Sequence, residues 1–328
     1  GLILGFPDAA GAIMASVGDY PWSVRCLGYE ATTVTAPCDT VYMQDATFPL
    51  PEVVVTPADR PITRVLTYAR EYCTGTTGAD TMQLYCEYML EYFFADGKVK
   101  GFSKTHESGI SRAVRRYGRI ADSQGRDSVM QPRWDDDIAS LSFLENMAFV
   151  PFEPREETGA MKDGALSDTV GGKFYPKFVY RKNDRFFTVD CDALADYKDH
   201  RWSPLFFKLL GLTMDMEAAD YTLIYNYKDS GRYELRDFIS GTYNLRILGR
   251  GKLLKRMLGV KDAISMYCYM EQYPVDIERL TVEEYKEMKK DYYARKEEFR
   301  VPANVLPLAP AMRQLVERAD REIPVQKK

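Results

Sequence analysis

The sequence predicts a mainly β protein of the α+β type: an N-terminal partial β-sandwich, then a curved antiparallel sheet with flanking helices. Three observations predict this class, namely short alternating runs, turn-forming pairs between them, and 23 tyrosines among 328 residues. Tyrosine suits a half-exposed sheet because its ring packs while its hydroxyl stays in water. A chain of this length is expected to form two domains and to bury a core without needing disulfides.

The N-terminal part of the chain is predicted to form short strands. The turn pair Gly18-Asp19 separates the runs Ala12–Val17 and Tyr20–Gly28. Three prolines then surround a short strand between residues 49 and 57, as is typical of an edge strand that leads into a linker.

The hydrophobic period changes at Asp59, where a domain boundary is predicted. Apolar residues then follow at the spacing of one helix face: Ile62, Val65, Leu66, Ala69 and Cys73. Asp59 could cap this helix, and Pro61 fits its first turn. We therefore predict a first domain over residues 1–57 and a second domain over residues 58–328.

Alternation predicts most of the second domain to be strand. Leu84 to Phe94 alternates, with Glu87 and Glu91 on the face opposite the apolar one. Ser111–Asp122 fits either a helix or a strand, and residues 153–172 are predicted to be a long polar loop. Further alternating runs predict strands at Phe174–Tyr180, Arg185–Asp190, Tyr221–Tyr227, Arg232–Phe238, Thr242–Leu248 and Ile264–Met270.

Three helices are predicted in the second half. Ser203-Pro204 begins a short apolar helix that Gly211 ends. Thr281 to Glu284 matches a capping box, and an amphipathic helix close to the C-terminus is marked by Met312, Leu315, Val316 and Ala319.

Two segments near the N-terminus carry a resemblance to a known family. Gly18-Asp19-Tyr20-Pro21 through Leu27-Gly28-Tyr29-Glu30, and then Leu50–Val55, resemble the second half of the carboxypeptidase-regulatory-like domain of Gram-negative envelope proteins. The first strands of such a domain would lie upstream of Gly1. The resemblance implies a periplasmic or outer-membrane location and a small sandwich without peptidase chemistry.

The rest of the chain is similar to the region that follows such domains in uncharacterised envelope proteins. The residues that carry this similarity are Tyr68–Tyr72, Tyr243–Arg256 and the strand with its capped helix at 263–290. That family has no agreed activity, so the similarity implies no catalytic residue.

Composition argues against several function classes. The net charge of −4 disfavours nucleic-acid binding. The two histidines, His106 and His200, stand apart, and the six cysteines form no C-x-x-C pair, so no metal or other cofactor is predicted. The easiest disulfide to propose is Cys26–Cys38. No run of about 20 apolar residues is present, so no transmembrane segment is predicted.

The basic segment after Gly249 is the strongest candidate binding site. Glycines beside Arg250, Lys252, Lys255 and Arg256 could hold a phosphate, a sulfate or an anionic lipid head group. The same pattern also fits a turn followed by a solvated helix, and it lacks the G-x-x-x-x-G-K-[ST] motif of a P-loop.

Three weaker candidates are each matched by an ordinary structural explanation. Asp190, Asp192, Asp196 and Asp199 could form a calcium-binding loop, although the EF-hand spacing is absent. Asp135–Asp137 could be catalytic or could begin a helix. Trp22, Trp134 and Trp202 could stack on sugars or could be structural.

Three functional hypotheses follow. The first is a non-enzymatic cell-envelope protein, with a spacer or docking domain and a β-rich domain that binds a lipid, a glycan, a peptide or a partner protein. The second is a glycan-directed hydrolase, with Glu87, Glu91 and Asp135–Asp137 as first suspects and two carboxylates about 5–10 Å apart. The third is an assembly subunit that pairs through exposed strand edges.

Overall fold

The computed structural model describes residues 20–25, 29–44, 60–78, 80–100, 102, 106–133, 135–142, 152–171, 177–197, 199, 201–202, 212–252, 263–291 and 294–323. Its strands, in chain order, are β1 Trp22–Val24, β2 Thr32–Val34, β3 Ile62–Thr77, β4 Asp80–Ala95, β5 His106–Ala121, β6 Asp127–Met130, β7 Arg155–Glu156, β8 Ser167–Gly171, β9 Lys177–Lys182, β10 Phe186–Asp192, β11 Leu212–Asn226, β12 Arg232–Tyr233, β13 Phe238–Gly251 and β14 Ile264–Leu280. Its α-helices are α1 Gly159–Lys162, α2 Val282–Lys290 and α3 Pro310–Glu322.

Ten of these strands form one antiparallel sheet, which confirms the mainly β fold class. The strand order is β6-β5-β4-β3-β14-β13-β11-β10-β9-β8. The pairs β1–β2 and β7–β12 form two small separate ladders. Because β3 pairs with β14, the first and last strands of this sheet in chain order meet at its centre. Both edge strands are short, as is common where a sheet avoids pairing with other chains.

The helix predicted from Ile62 to Cys73 is wrong, because this segment is the first part of β3. Every residue from Ile62 to Thr74 is buried, so both faces of the strand pack against other parts of the protein. A strand that is buried on both sides loses the alternation of apolar and polar residues, and its apolar positions can then match a helical period by chance.

Several other predictions can be compared with the structure. The ambiguous segment Ser111–Asp122 lies almost wholly in β5. The predicted loop 153–172 is wrong in part, because it contains β7, α1 and β8. The run Arg232–Phe238 is strand only at β12 and then forms a 3-10 turn at Leu235–Asp237. The short helix predicted at Ser203–Gly211 lies outside the described residues.

The following predictions, which rest on short sequence patterns, are confirmed. In β4, the alternating residues Leu84 to Phe94 face the main core. The strand predicted at Arg185–Asp190 is confirmed as β10, which pairs with β9 in a hairpin. At the start of α2, Glu284 N donates to Thr281 Oγ1 at 3.1 Å and Thr281 N donates to Glu284 Oε2 at 2.7 Å, which is the predicted capping box. The amphipathic C-terminal helix is α3.

The sheet has two faces of different chemistry. The face that carries Val65, Ala69 and Cys73 of β3 belongs to the largest hydrophobic cluster, and we call it the apolar face. The opposite face carries Arg64 and Arg70 of the same strand, and we call it the charged face. Residues 294–323, which include α3, cover much of the charged face.

The first predicted domain is described only in part, so its identity stays a prediction. Residues 22–24 and 32–34 form the β1–β2 ladder, and the cis peptide Tyr20-Pro21 precedes it. Cys38 is a free, exposed thiol rather than half of the disulfide predicted with Cys26, which itself lies outside the described residues. Within the described part of the chain, no helix has the length and apolar character needed to span a membrane.

Candidate functional site

A cavity of about 250 Å³ lies on the apolar face, above β11 and β13. The described residues that line it are Ala193, Leu194, Tyr197, Trp202, Met216, Ala219, Asp220, Tyr221, Tyr243, Asn244 and Leu245. Nine of these eleven are aliphatic or aromatic, which is the usual character of a pocket for an apolar ligand. An apolar cavity of about 150 Å³ can stay dry and accept benzene, so this one is large enough for a bigger apolar group.

A β-bulge in β11 shapes one wall of the cavity. The register with β13 shifts between Met216 and Ala218, and a bulge of this kind re-aims the neighbouring side chains. Trp202 is held beside the bulge by two backbone bonds, from its N to Met216 O at 3.1 Å and from Met216 N to its O at 2.9 Å. Glu217, inside the bulge, pairs with Arg201 at 2.6 Å and with Arg246 at 3.0 Å.

Two tyrosines supply polar atoms near this apolar space. The hydroxyl of Tyr243 contacts Gln272 Oε1 at 3.3 Å. Burial raises the pKa of Tyr221 above its ordinary value, so this phenol remains protonated at neutral pH. The ring centroids of Tyr197 and Trp202, which both line the cavity, lie 6.4 Å apart with the rings tilted. The site can therefore bind an apolar group and offer a few hydrogen-bonding positions.

A different arrangement occupies the charged face, where Glu91 is the hub of an ion-pair network. Its carboxylate is fully buried and accepts bonds from Arg64 Nε at 2.6 Å, from Arg112 Nε at 2.8 Å and from Arg295. Arg64 also donates to Glu297 Oε1 at 2.6 Å. Because Arg295 and Glu297 belong to the C-terminal segment, this network holds that segment against the sheet.

A second buried carboxylate, Glu271, joins Arg25, which follows β1, to the large sheet. It pairs with Arg25 at 2.8 Å and with Arg70, and it accepts a bond from the Tyr269 hydroxyl at 2.9 Å. Burial by itself would raise the pKa of Glu271, but the charges of Arg25 and Arg70 more than offset burial, so this pKa lies below the ordinary value.

This depressed pKa predicts an acid-sensitive contribution to stability. The contribution is complete above the unfolded-state pKa of about 4.3 and is lost as the pH falls through the lower folded-state pKa. We expect Glu271→Gln to destabilise the protein at pH 7 and to flatten the acid limb of the plot of unfolding free energy against pH. Urea titrations over a pH series measure this, and an acid limb unchanged from wild type would contradict it.

A third group of buried polar side chains lies on the apolar face, close to the sheet centre. Glu71, Cys73 and Cys268 are buried, and one potential ligand atom from each lies within 4.8 Å of the others. Cys73 and Cys268 are directly opposed on β3 and β14. Within the described part of the chain, this is the one group of three or more His, Cys, Asp or Glu side chains that is close enough to hold a metal ion. Sequence reasoning missed it because the two cysteines lie far apart in the chain.

The basic candidate segment is described only at its beginning. Arg250 lies near the end of β13, is 60% exposed and contacts Asp215 at 3.4 Å. Lys252 follows the strand and is exposed. Lys255 and Arg256 lie outside the described residues, so an anion site at this segment stays a prediction.

The predicted hydrolase carboxylates Glu87 and Glu91 lie along one strand, β4, and do not face each other across a cleft. Glu87 and Glu91 are four residues apart on one strand, or about 13 Å at ~3.3 Å per residue. Glu87 contacts Arg115 at 2.9 Å. Asp135 lies 3.6 Å from Arg133 and is half exposed, while Asp136 precedes a 3-10 turn at Asp137–Leu141.

The other candidates are dispersed. Asp190 bonds to Arg181 and to Thr222, and Asp192 accepts a bond from Leu194 N at 2.9 Å, so these aspartates serve strand and turn contacts. Trp22 stacks on Tyr20 at 4.4 Å, whereas Trp202 lines the cavity. His106 begins β5, and His200 and Trp134 lie outside the described residues.

Comparison with known proteins leaves the family open. No family model matches the chain, and no curated protein matches it. Among solved structures, the chain is similar to a chain from a study of lipid–protein interactions in lipovitellin, at 8% identity with a TM-score of 0.32, covering 67% of this chain and 26% of that one. It is also similar to an AttH protein from Nitrosomonas europaea, at 8% identity with a TM-score of 0.14, covering 67% of this chain and 52% of that one. At these TM-scores neither similarity carries an argument about function.

Proposed function

We propose that this chain is a non-enzymatic binding protein of the bacterial cell envelope, whose sheet holds an apolar ligand such as a lipid acyl chain. The observation that carries the binding role is the cavity above β11 and β13, with nine aliphatic or aromatic residues among the eleven described ones that line it. Apolar walls favour apolar ligands because binding removes both surfaces from water.

The position of the cavity supports this role. Part of the lining belongs to the long, paired strands β11 and β13, and the rest comes from the segment that contains Leu194, Tyr197 and Trp202. The Arg201–Glu217–Arg246 ion pairs hold that segment beside the bulge. A pocket whose walls are positioned before binding loses less conformational entropy when the ligand enters.

Filling the cavity should weaken the binding of an apolar probe. Ala219 and Ala218 are neighbouring, half-buried residues of β11, but Ala219 lines the cavity and Ala218 does not. We expect Ala219→Phe to weaken binding about 5- to 150-fold. The added ring occupies space that the ligand needs, and overpacking of this kind costs the complex ~1–3 kcal/mol. Titration with a naphthylamine probe and with a fatty acid, followed by fluorescence and by calorimetry, measures this effect.

Ala218→Phe is the matched control, since it adds the same volume next to the cavity and should bind as wild type does. Equal weakening in both variants would place the binding site elsewhere or indicate a general disturbance of β11. Absence of binding by the wild-type chain would contradict the proposed ligand class.

The envelope location is supported by the sequence resemblance of the first domain. Fractionation of cells that produce the tagged full-length protein tests it. We expect recovery with the envelope fraction, and protease added to intact cells then distinguishes a surface location from a periplasmic one. Recovery in the cytoplasm would contradict the envelope assignment while leaving the cavity experiment unaffected.

A further inference from the structure

We propose that Glu71, Cys73 and Cys268 form a binding site for one thiophilic divalent cation, with Zn²⁺ as the best fit. The three ligand atoms lie within 4.8 Å of one another, and all three residues are buried. This site is separate from the cavity proposed for an apolar ligand, and it does not depend on that proposal.

The spacing of the ligand atoms suits tetrahedral zinc. Zinc bonds of about 2.3 Å to sulfur and about 2.0–2.2 Å to oxygen put neighbouring ligand atoms roughly 3.4–3.8 Å apart. Cys73 Sγ lies 3.4 Å from Glu71 Oε1, which matches this separation, and Cys268 Sγ is within reach of both atoms. Two sulfur ligands and one carboxylate favour zinc over magnesium or calcium, which prefer sites made of oxygen alone.

The sheet itself sets these positions. Glu71 and Cys73 are two residues apart in β3, so both side chains project from the apolar face. Cys268 is the register partner of Cys73 on β14, and side chains that face each other across an antiparallel pair have Cβ atoms about 4.5–5.5 Å apart. Long, paired strands therefore hold all three ligands without a flexible loop.

The surroundings provide hydrogen bonds of the kind that support metal ligands. Glu71 Oε2 accepts a bond from the Ser142 hydroxyl at 2.7 Å and another from the Tyr88 hydroxyl at 3.1 Å. Such partners orient a ligating carboxylate and spread its charge. One of these two hydroxyl oxygens, or a water molecule, would complete the four-coordinate shell.

A cover over the cluster excludes bulk water. The 3-10 turn Asp137–Leu141 brings the Leu141 carbonyl to 3.4 Å from Cys268 Sγ. A Cβ atom at Gly75 would lie 3.0 Å from Leu141 Cδ2 and 2.9 Å from Ile264 Cδ1, so glycine at this position permits the close approach of the turn. Burial of this kind strengthens metal–thiolate bonds by excluding competing water.

Metal content of the wild-type full-length chain is the first test. The protein is purified under reducing conditions, incubated with excess Zn²⁺, separated from free metal, and examined by native mass spectrometry and by elemental analysis. We expect one zinc per chain. Replacement by Co²⁺ should give the thiolate-to-cobalt charge-transfer band and the intense visible bands of a tetrahedral site.

Variants then assign the ligands. Cys73→Ser, Cys268→Ser and Glu71→Gln should each weaken zinc binding by about 100-fold or more, since even changes outside the ligand shell cost 10–100-fold. Cys191→Ser is the matched control, because Cys191 is another buried strand cysteine outside the cluster, and it should retain one zinc. Circular dichroism establishes which variants fold.

Two results from the wild-type chain would overturn the proposal whether or not the variants fold. One is a protein that remains metal-free in excess Zn²⁺ with all six cysteines as free thiols, which would identify the cluster as ordinary core packing. The other is a Cys73–Cys268 disulfide found by peptide mapping after purification without reductant, together with no zinc uptake after reduction.

Discussion

Replacing Glu91 with glutamine is expected to lower the free energy of unfolding by about 3–5 kcal/mol, the range for breaking a buried ion pair by removing one partner. Glu91 is the shared partner of Arg64, Arg112 and Arg295, and its side chain is inaccessible to solvent. Arg64 retains its contact with Glu297, but the buried guanidinium of Arg112 loses this carboxylate. The buried positive charge of Arg112, deprived of this partner, accounts for the loss.

Urea or guanidinium titration of Glu91→Gln measures the change. We also expect faster amide hydrogen exchange in residues 294–306, because Arg295 and Glu297 join that segment to the network on the sheet. The control is Glu287→Gln, whose carboxylate pairs with Lys290 on the exposed side of α2, and it should leave stability unchanged. A Glu91→Gln variant as stable as this control would show that the network contributes no net stability.

Replacing Phe152 with alanine is the second change with a large expected effect, at about 3–5 kcal/mol. Phe152 is fully buried on the apolar face, where its ring stacks on Phe238 at 4.6 Å. Its ring centroid also lies 5.1 Å from that of Tyr92 and 5.5 Å from that of Phe94. Removing the ring forfeits its burial and leaves a cavity among aromatic neighbours that cannot all move inward.

Thermal and denaturant unfolding of Phe152→Ala quantify this loss. Leu166→Ala is the control, because Leu166 is 70% exposed and its truncation should change stability by less than about 0.5 kcal/mol. A loss below about 1 kcal/mol for Phe152→Ala would mean that the surrounding rings close the space, and that this ring does not anchor its segment to the sheet.

Short sequence patterns were sufficient to predict those elements whose stabilising contacts lie close together in the sequence. Leu84 to Phe94 alternates because one side of β4 faces the main core while Glu87 and Glu91 lie on the other. Thr281 and Glu284 specify the start of α2 because the two hydrogen bonds of the capping box join residues only three positions apart. The fold class followed from many such signals.

The same patterns failed where burial on both faces removed the alternation. The segment from Ile62 to Cys73 matched a helical period, yet its neighbours β4 and β14 make it the centre of a sheet. Nothing local distinguishes these two outcomes, because the stabilising backbone hydrogen bonds go to strands that lie elsewhere in the chain.

By itself, then, the sequence determined a mainly β chain with a capped helix and an amphipathic C-terminal helix. The tertiary structure decided which side chains meet. Glu71 and Cys73 reach Cys268 through the pairing of β3 with β14, and Glu91 reaches Arg295 because the C-terminal segment lies on the charged face. The cavity likewise combines residues from 193 to 245. Contacts of this kind depend on which strands pair across the whole sheet, and a pattern in neighbouring residues does not identify a partner strand that lies elsewhere in the chain.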